Sequence, residues 1–479
     1  MYLSILLNIR MNYQHNTYAE LFNSQKDNQF HVGNSTYKER IKKLKDLKLA
    51  LEKTYRYEII DAIYKDFKKP KLETDLSEIY IVIKEIKYAI SNLKSWLKNQ
   101  SVETPITLLG TSSYIKYEPK GVCLIISPWN YPVNLTFGPL MSAIAAGNTV
   151  ILKPSEMTPN TSAVMAKIVK DVFDENEVAL IEGEVEVSQE LLKLPFNHIF
   201  FTGSPAVGKI VMSAAAKQLT SVTLELGGKS PTIIHESTNI KAAIQNLVWG
   251  KFLNNGQTCI APDYVLIHES IKNEFVEAFK TKALEYYSEN PMTSRSYSRV
   301  VNKKHFKRLV SYIEDAKTNN ATIELGGDYD ETSNYIAPTL ISNVSEEAML
   351  LNEEIFGPIL PLKTYTSIDE VVDYINSKEK PLALYVYAKN KKFIKTIINN
   401  TRAGSTCINS NALQYSNHNL PFGGSNNSGI GKAHGFFGFQ EFSNARSVLK
   451  KHTAGPLNML FPPYTKLKEK LVKSTIKWF

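Results

Sequence analysis

The spacing of apolar positions divides the chain into segments of different kinds. Over residues 17–98 apolar side chains recur every three or four positions, most regularly in 40–69 and 77–97, with lysines and glutamates between them, and this period predicts amphipathic helices. From residue 122 the pattern changes to short unbroken apolar runs alternating with helical periods. Strands are predicted at 122–127, 148–153, 178–181, 198–203 and 222–226, with helices at 133–146, 161–173, 188–194 and 207–217 between them. A second series places strands at 232–234, 264–268, 359–364, 382–388 and 404–408, and helices at 240–252, 271–287, 302–316, 368–376 and 391–399. Such alternation is the pattern of an α/β, doubly wound domain with a largely parallel sheet. Residues 99–119, with Pro105 and an Ile/Leu/Tyr-rich run, read as a hairpin leaving the body of the domain. The glycine-rich stretch 423–438 reads as tight loops beside a site. Residues 456–479 carry Pro462-Pro463 and then a basic amphipathic helix.

Length and composition narrow the class. A chain of 479 residues, 43% hydrophobic and 22% charged, is too long for one small core and implies two large domains. Its three cysteines, Cys123, Cys259 and Cys407, form no CxxC pair, which excludes a disulfide scaffold and a zinc-finger framework. The formal charge of +9 is spread out, with lysines concentrated in 41–72 and 449–477, as expected of a basic surface. No run of roughly 18 apolar residues is present to span a bilayer, so no transmembrane anchor is expected. The apolar start, 1–9, lacks a cleavage region, and Met11 offers a second start. The expected location is cytoplasmic.

Three residues can carry chemistry. Cys259 ends Asn255-Gly256-Gln257-Thr258-Cys259, between a predicted helix and a strand. In such a loop it is either a nucleophile, provided the site lowers its pKa or supplies a base, or a small buried hydrophobe. Glu225 sits between leucines in Leu224-Glu225-Leu226-Gly227-Gly228. A carboxylate there is either a paired structural group or a base with a pKa raised by desolvation. Asn130 follows Pro128-Trp129 just past a strand end, where ligands of parallel sheets bind. It is either an oxyanion donor or a turn residue. Phe201-Thr202-Gly203-Ser204-Pro205-Ala206-Val207-Gly208 runs from a strand into a helix that Ser204 can cap, leaving backbone N–H groups free to hold a phosphate. Its glycine spacing is not the dinucleotide fingerprint, and Gly228-Lys229-Ser230 lacks the earlier glycine of a Walker A loop, which disfavours an ATPase. Nine histidines give no HExxH or His/Cys cluster, so no metal is expected, and no nucleic-acid-binding motif is present. Tyr131, Trp249 and the pair Phe436-Phe437 either line an apolar entrance or belong to the core, and Trp249 is assigned to the core.

Taken in order, these pieces resemble the NAD(P)-dependent aldehyde dehydrogenase superfamily, most closely its class 3, fatty-aldehyde-type branch. The motifs are Pro128-Trp129-Asn130-Tyr131-Pro132, Lys153-Pro154-Ser155-Glu156, Phe201-Thr202-Gly203-Ser204, Leu224-Glu225-Leu226-Gly227-Gly228-Lys229, Gly256-Gln257-Thr258-Cys259, Glu353-Glu354-Ile355-Phe356-Gly357-Pro358 and Pro421-Phe422-Gly423-Gly424. The resemblance spans about 17–465. It implies a Rossmann-like NAD(P)-binding domain (1–98 and 120–226), an α/β catalytic domain (227–438), an oligomerisation element (99–119 and 439–452) that makes a homodimer, and a C-terminal tail (453–479). It implies that Cys259 is the nucleophile, Glu225 the base and Asn130 the oxyanion donor. It implies that Trp129, Lys153, Glu156, Gly203, Ser204, Gly208, Glu354 and Phe356 form the cofactor site, and that Tyr131 belongs to the substrate pocket. Glu156 at the adenosine ribose would repel a 2′-phosphate, so NAD is the expected cofactor, with NADP as the alternative. The implied reaction oxidises a medium- or long-chain aliphatic, or an aromatic, aldehyde to its acid. An acylating enzyme that releases its thioester to coenzyme A or phosphate, and a non-enzymatic protein that keeps the fold, are the rival readings.

Overall fold

The computed structural model describes residues 2–478. Met1, the other start and the first residue of the expected cofactor segment, lies outside them, as does Phe479 at the end of the tail. The strand Val122–Ile126 shows how the fold is built. Its side chains alternate, Cys123 and Ile125 joining one apolar cluster while Val122 and Leu124 join another on the opposite face. Helices cover both faces, so every residue of the run but the last is buried, and the sequence reads as an unbroken apolar stretch. Its neighbours complete a six-stranded sheet in the order Gly429–Ile430, Ser221–Leu226, His198–Gly203, Val122–Ile126, Thr149–Lys153, Val178–Leu180. All pairs are parallel except the first. The chain runs outward one way from Val122–Ile126 and then returns to its other side, so the carboxyl ends of Val122–Ile126 and His198–Gly203 form a topological switch point.

A second sheet has seven strands in the order Thr322–Leu325, Thr339–Ser342, Ile359–Tyr365, Tyr264–His268, Pro231–Ile234, Ala383–Tyr387, Ser405–Ile408. Val265 and Ile267 face one cluster, Tyr264 and Leu266 the other. The third sheet is small and antiparallel. Gln100–Val102 pairs with Thr111–Pro119, which pairs along its length with Ser443–Lys451. The fold is that of an α/β protein with a Rossmann-like sheet and a second α/β sheet.

Several expectations are corrected. The helix expected at 188–194 is Val185–Leu191. The glycine-rich stretch is loops only in part, because Gly429–Ile430 is a strand and Gly435–Glu441 is helical. The segment 439–452 therefore begins inside a helix and is a strand only over Ser443–Lys451. Trp249 is 41% exposed, since the helix Ile240–Phe252 buries Ile244, Leu247, Val248 and Phe252 and leaves Trp249 on the solvent side. The strands Thr322–Leu325 and Thr339–Ser342 are additional. Among the described residues no helix is long and apolar enough to cross a membrane.

The N-terminal helices pack on Asn134–Ala146, and a buried ion pair lies among them. Lys69 Nζ lies 2.7 Å from Glu78 Oε1, with both side chains fully buried. Glu78 Oε2 accepts the backbone N–H groups of Val133 (3.1 Å) and Asn134 (3.0 Å), capping the helix that follows Asn130. Lys69 also lies 3.8 Å from the centre of the Tyr131 ring. Removing Lys69 leaves a charged carboxylate buried without its cation. Lys69→Met is expected to lower unfolding free energy by roughly 3–5 kcal/mol, measured by denaturant titration. A loss under about 1 kcal/mol would show that the pair does not support this wall.

Candidate active site

The loop that carries Cys259 begins where helix Ile240–Phe252 ends. Asn254, Asn255 and Gly256 follow with φ of +54°, +58° and +72°. Asparagine tolerates this left-handed region, but Gly256 is required, because a Cβ there would lie 2.2 Å from the Gly357 carbonyl oxygen. Buried amides hold the turn. Gln257 Nε2 donates to the carbonyls of Asn254 and Arg299, both at 3.0 Å, and its Oε1 accepts Val301 N–H at 3.0 Å. Asn254 Nδ2 donates to the carbonyls of Asn130 (2.8 Å) and Gln257 (3.1 Å). Asn130 Nδ2 donates to Gln257 O at 3.0 Å, one of its two N–H groups. The loop that carries Cys259 is thus tied to the strand end that carries Asn130.

Two cavities meet at Cys259. A cleft of about 870 Å³ lies at the switch point, lined by Trp129, Asn130, Gly203, Ser204, Glu354 and Phe356 among others. A smaller, mainly apolar chamber of about 60 Å³ includes Met141, Tyr415, Phe422 and Phe442 in its wall. Cys259 and Glu225 line both. Glu225 is 6% exposed, and neither carboxylate oxygen has a hydrogen-bond partner among the described residues. Burial pushes its pKa well above the carboxylate range. The Lys432 ammonium opposes this and Glu441 adds to it. Burial also pushes the Cys259 thiol up to about 12, helped by the charges of Glu225 and Glu354, while the backbone N–H groups of Cys259 and Ile260 act against it. Cys123 is buried in the sheet and Cys407 lies on the far edge strand of the second sheet. Neither lines the cleft or the chamber.

The remaining candidates divide by location. Ser204 caps the helix Pro205–Ala216, its Oγ accepting Val207 N–H at 3.4 Å. Trp129 meets Phe356 edge to face at 5.5 Å, and Phe356 holds φ of +47°. Glu354 Oε1 accepts Gly228 N–H at 2.9 Å, and its pKa rises to about 7, chiefly through burial. A Cβ on Gly227 would fall 2.3 Å from that carboxylate. Lys153, Glu156, Gly208 and Tyr131 lie outside the cleft's lining. Lys153 ends the adjoining strand, donates to Pro154 O at 2.7 Å and lies 3.9 Å from Glu156. Gly208 packs its helix on the sheet, where a Cβ would meet Leu226 at 2.8 Å. Tyr131 bonds Thr258 at 2.7 Å behind the loop.

Other lining residues escaped the motif reading. His305 and Arg308, one turn apart on the helix Lys303–Thr318, line the cleft, and the His305 ring lies 5.1 Å from Trp129. Burial, with Arg308 and Lys304 nearby, lowers His305 to about 4, so its imidazole is neutral. In the chamber His434 Nδ1 lies 3.1 Å from Glu85 Oε1, a contact between residues far apart in sequence. Basic positions at i and i+3 at a helix start were the visible signal for the first pair; the second has no local signal. No cluster of metal-ligating side chains occurs among the described residues.

The cleft suits a dinucleotide. Its volume falls in the range of roughly 300–1,000 Å³ typical of ligand sites, the positive N-terminal end of the helix Pro205–Ala216 opens onto it, and Gly227 and Gly228 keep backbone at its wall. Comparison with known proteins agrees. The family model described as "Aldehyde dehydrogenase family" matches residues 11–448. The chain is 45% identical to 4,4'-diaponeurosporen-aldehyde dehydrogenase of Staphylococcus aureus, covering 91% of this chain and 94% of that one. It is 41% identical to mouse aldehyde dehydrogenase family 3 member B3, covering 93% of each. A solved structure titled as the substrate-bound state of Staphylococcus aureus AldH superposes with a TM-score of 0.91 at 42% identity, covering 96% of this chain and 99% of that one. Two more distant solved members of the fold, 27% and 26% identical, are complexes with nicotinamide adenine dinucleotide. The chain belongs to the aldehyde dehydrogenase family, whose members are NAD(P)-dependent oxidoreductases.

Proposed function

We propose that this protein oxidises aldehydes to carboxylic acids, with Cys259 as nucleophile, Asn130 as side-chain donor to the developing oxyanion and Glu225 as base. What supports this reading is that Cys259 and Glu225 line both cavities while Asn130 lies on the cleft side. Trp129, Ser204, Glu354 and Phe356 would hold the dinucleotide in the cleft, with Lys153 and Glu156 beyond its wall toward the adenosine end. Glu156 favours NAD over NADP by repelling a 2′-phosphate. A bound nicotinamide supplies the acceptor for the hydride.

Cys259 first loses its proton to Glu225, which passes it to solvent before the hydrolytic step. Its sulfur then forms the C–S bond to the aldehyde carbon as the carbonyl π pair moves to oxygen. That oxygen meets the second N–H of Asn130 Nδ2 and the backbone N–H of Cys259. Departure of the hydride from this tetrahedral adduct leaves a thioester on Cys259. Glu225 takes a proton from water, the water oxygen adds to the acyl carbon, and the C–S bond breaks with its electron pair returning to sulfur. A carboxylate kept buried and free of structural partners suits water activation. This favours hydrolysis over release to coenzyme A, which product analysis with and without coenzyme A separates. The apolar chamber, with Tyr415 and Phe422, suits medium- or long-chain aliphatic, or aromatic, aldehydes. On the same reading 1–98 and 120–226 form the cofactor domain and 227–438 the catalytic domain. The sheet of 99–119 and 439–452, with Ser443–Lys451 at its edge, joins two copies of the chain.

Cys259→Ser is expected to lower aldehyde turnover by about 10³-fold or more while NAD still binds by fluorescence titration. Near-normal turnover would remove Cys259 from the mechanism. With its thiol pKa about 12 in the cofactor-free protein, Cys259 is almost wholly protonated at neutral pH. Its alkylation by iodoacetamide should therefore climb about tenfold per pH unit from about pH 7 to about pH 10, read by mass spectrometry of the Cys259 peptide. A plateau below about pH 8 would contradict the burial argument.

A further inference from the structure

The hairpin 422–433 folds over the strand that carries Glu225. Phe422 pairs with Ala433 at its base and Asn426 with Gly429 at its tip, and Gly429 stands opposite Glu225 in antiparallel register. Lys432 crosses this hairpin. Its Nζ donates to the carbonyls of Gly423 (2.7 Å) and Gly424 (3.0 Å) on the other limb, and its backbone N–H donates to Glu441 Oε1 at 3.1 Å. Gly423 separates the two charged side chains: a Cβ built there would lie 3.0 Å from Glu225 Oε1 and 3.1 Å from Lys432 Cδ. The two carbonyls use two of the three ammonium donors, and both Glu225 oxygens are unpartnered. Glu441 is fixed from the other side, its Oε2 accepting the Thr223 hydroxyl at 2.6 Å.

We propose that Lys432 is a positioning residue for Glu225, its ammonium held across Gly423 from the carboxylate by the Gly423 and Gly424 carbonyls so that it sets, against the opposing charge of Glu441, how much of Glu225 is ionised when the thioester is hydrolysed. The proposal rests on reading Glu225 as the base. Two further titratable groups that face Glu225, Cys259 and Tyr415, carry no charge at neutral pH. Burial holds the Cys259 thiol at about 12 and pushes the Tyr415 hydroxyl upward as well. Glu85 and His434 line the same chamber but are bound to each other, and the helix Asn134–Ala146 contributes the neutral Asn134. The partner strand faces Glu225 with Thr202. Lys432 and Glu441 are the two charges that bear on the carboxylate, with opposite signs.

The sign of each effect follows. Glu225 must be ionised to accept a proton, so turnover limited by hydrolysis rises with pH along an acid limb. Lys432→Met removes the cation, disfavours ionisation and moves the midpoint of that limb up by about one pH unit or more. Lys432→Arg keeps it close to wild type. Glu441→Gln removes the repelling carboxylate, keeps one oxygen to accept the Lys432 N–H, turns an NH2 toward the Thr223 hydroxyl, which can accept it, and moves the limb down. The measurement is steady-state oxidation of octanal with NAD from about pH 5.5 to about pH 9. First-turnover NADH bursts identify hydrolysis as the limiting step, and thermal unfolding reports the state of each variant. A limb unmoved in Lys432→Met overturns the proposal. If that variant fails to fold, an unmoved limb in Glu441→Gln overturns it alone. Glu225→Gln separates the two levels: retained hydrolysis there ends the reading of Glu225 as base, whereas its loss beside an unmoved limb ends only the role of Lys432.

Discussion

The side-chain amide of Asn254 holds the site together. Its two N–H groups reach the carbonyls of Asn130 and Gln257, and its backbone N–H reaches Glu73 at 3.0 Å, so one buried residue joins the Cys259 loop, the switch-point strand end and the N-terminal helices. Loss of any of these bonds would leave a buried polar group unsatisfied, at a cost of roughly 1–3 kcal/mol each. Satisfied together, they fix the loop without a metal or a disulfide. Burial pushes Glu73 up to about 7, although Lys69 opposes it, so the outer end of this network sits near its titration point at neutral pH.

Around this fixed centre the electrostatics are arranged by withholding partners. Lys69 and Glu78 are buried and matched, Lys229 is engaged by Asp263 and two carbonyls, and Glu85 has His434. Glu225 is buried at similar depth with no hydrogen bond among the described residues. Desolvation then acts on it without compensation except for the field of Lys432. The contrast is local, because Thr223, two residues earlier on the same strand, is fully bonded.

The strands of both parallel sheets were legible because burial on two faces writes continuous apolar runs such as Val122–Ile126 and Tyr264–His268. The strands Thr322–Leu325 and Thr339–Ser342 were not: they are four residues each, and the first lies at the sheet edge with only partial burial. Trp249 was misread because a single large aromatic says nothing about which side of its helix faces the core. Within the site, Cys259, Glu225 and Asn130 were visible as unusual residues in short motifs. The pairing of Glu85 with His434 and the crossing of Lys432 were not, because they depend on which distant segments meet. The motif order placed Lys153 and Glu156 at the cofactor, yet sequence order cannot show that Lys153 turns to the Pro154 carbonyl.

Gly256 and Gly227 have a consequence for how such a protein can change. At both positions the first atom of any side chain would collide, with the Gly357 carbonyl in one case and the Glu354 carboxylate in the other. The loops around Cys259 and Glu354 are therefore closed to gradual revision, since point substitutions at these glycines pass through broken loops. The side chains of Met141, Tyr415 and Phe422 in the chamber wall already project into space, so other sizes can replace them without a backbone clash of this kind. Diversification of this scaffold is channelled into the lining of the chamber, while the chemistry it serves is inherited whole.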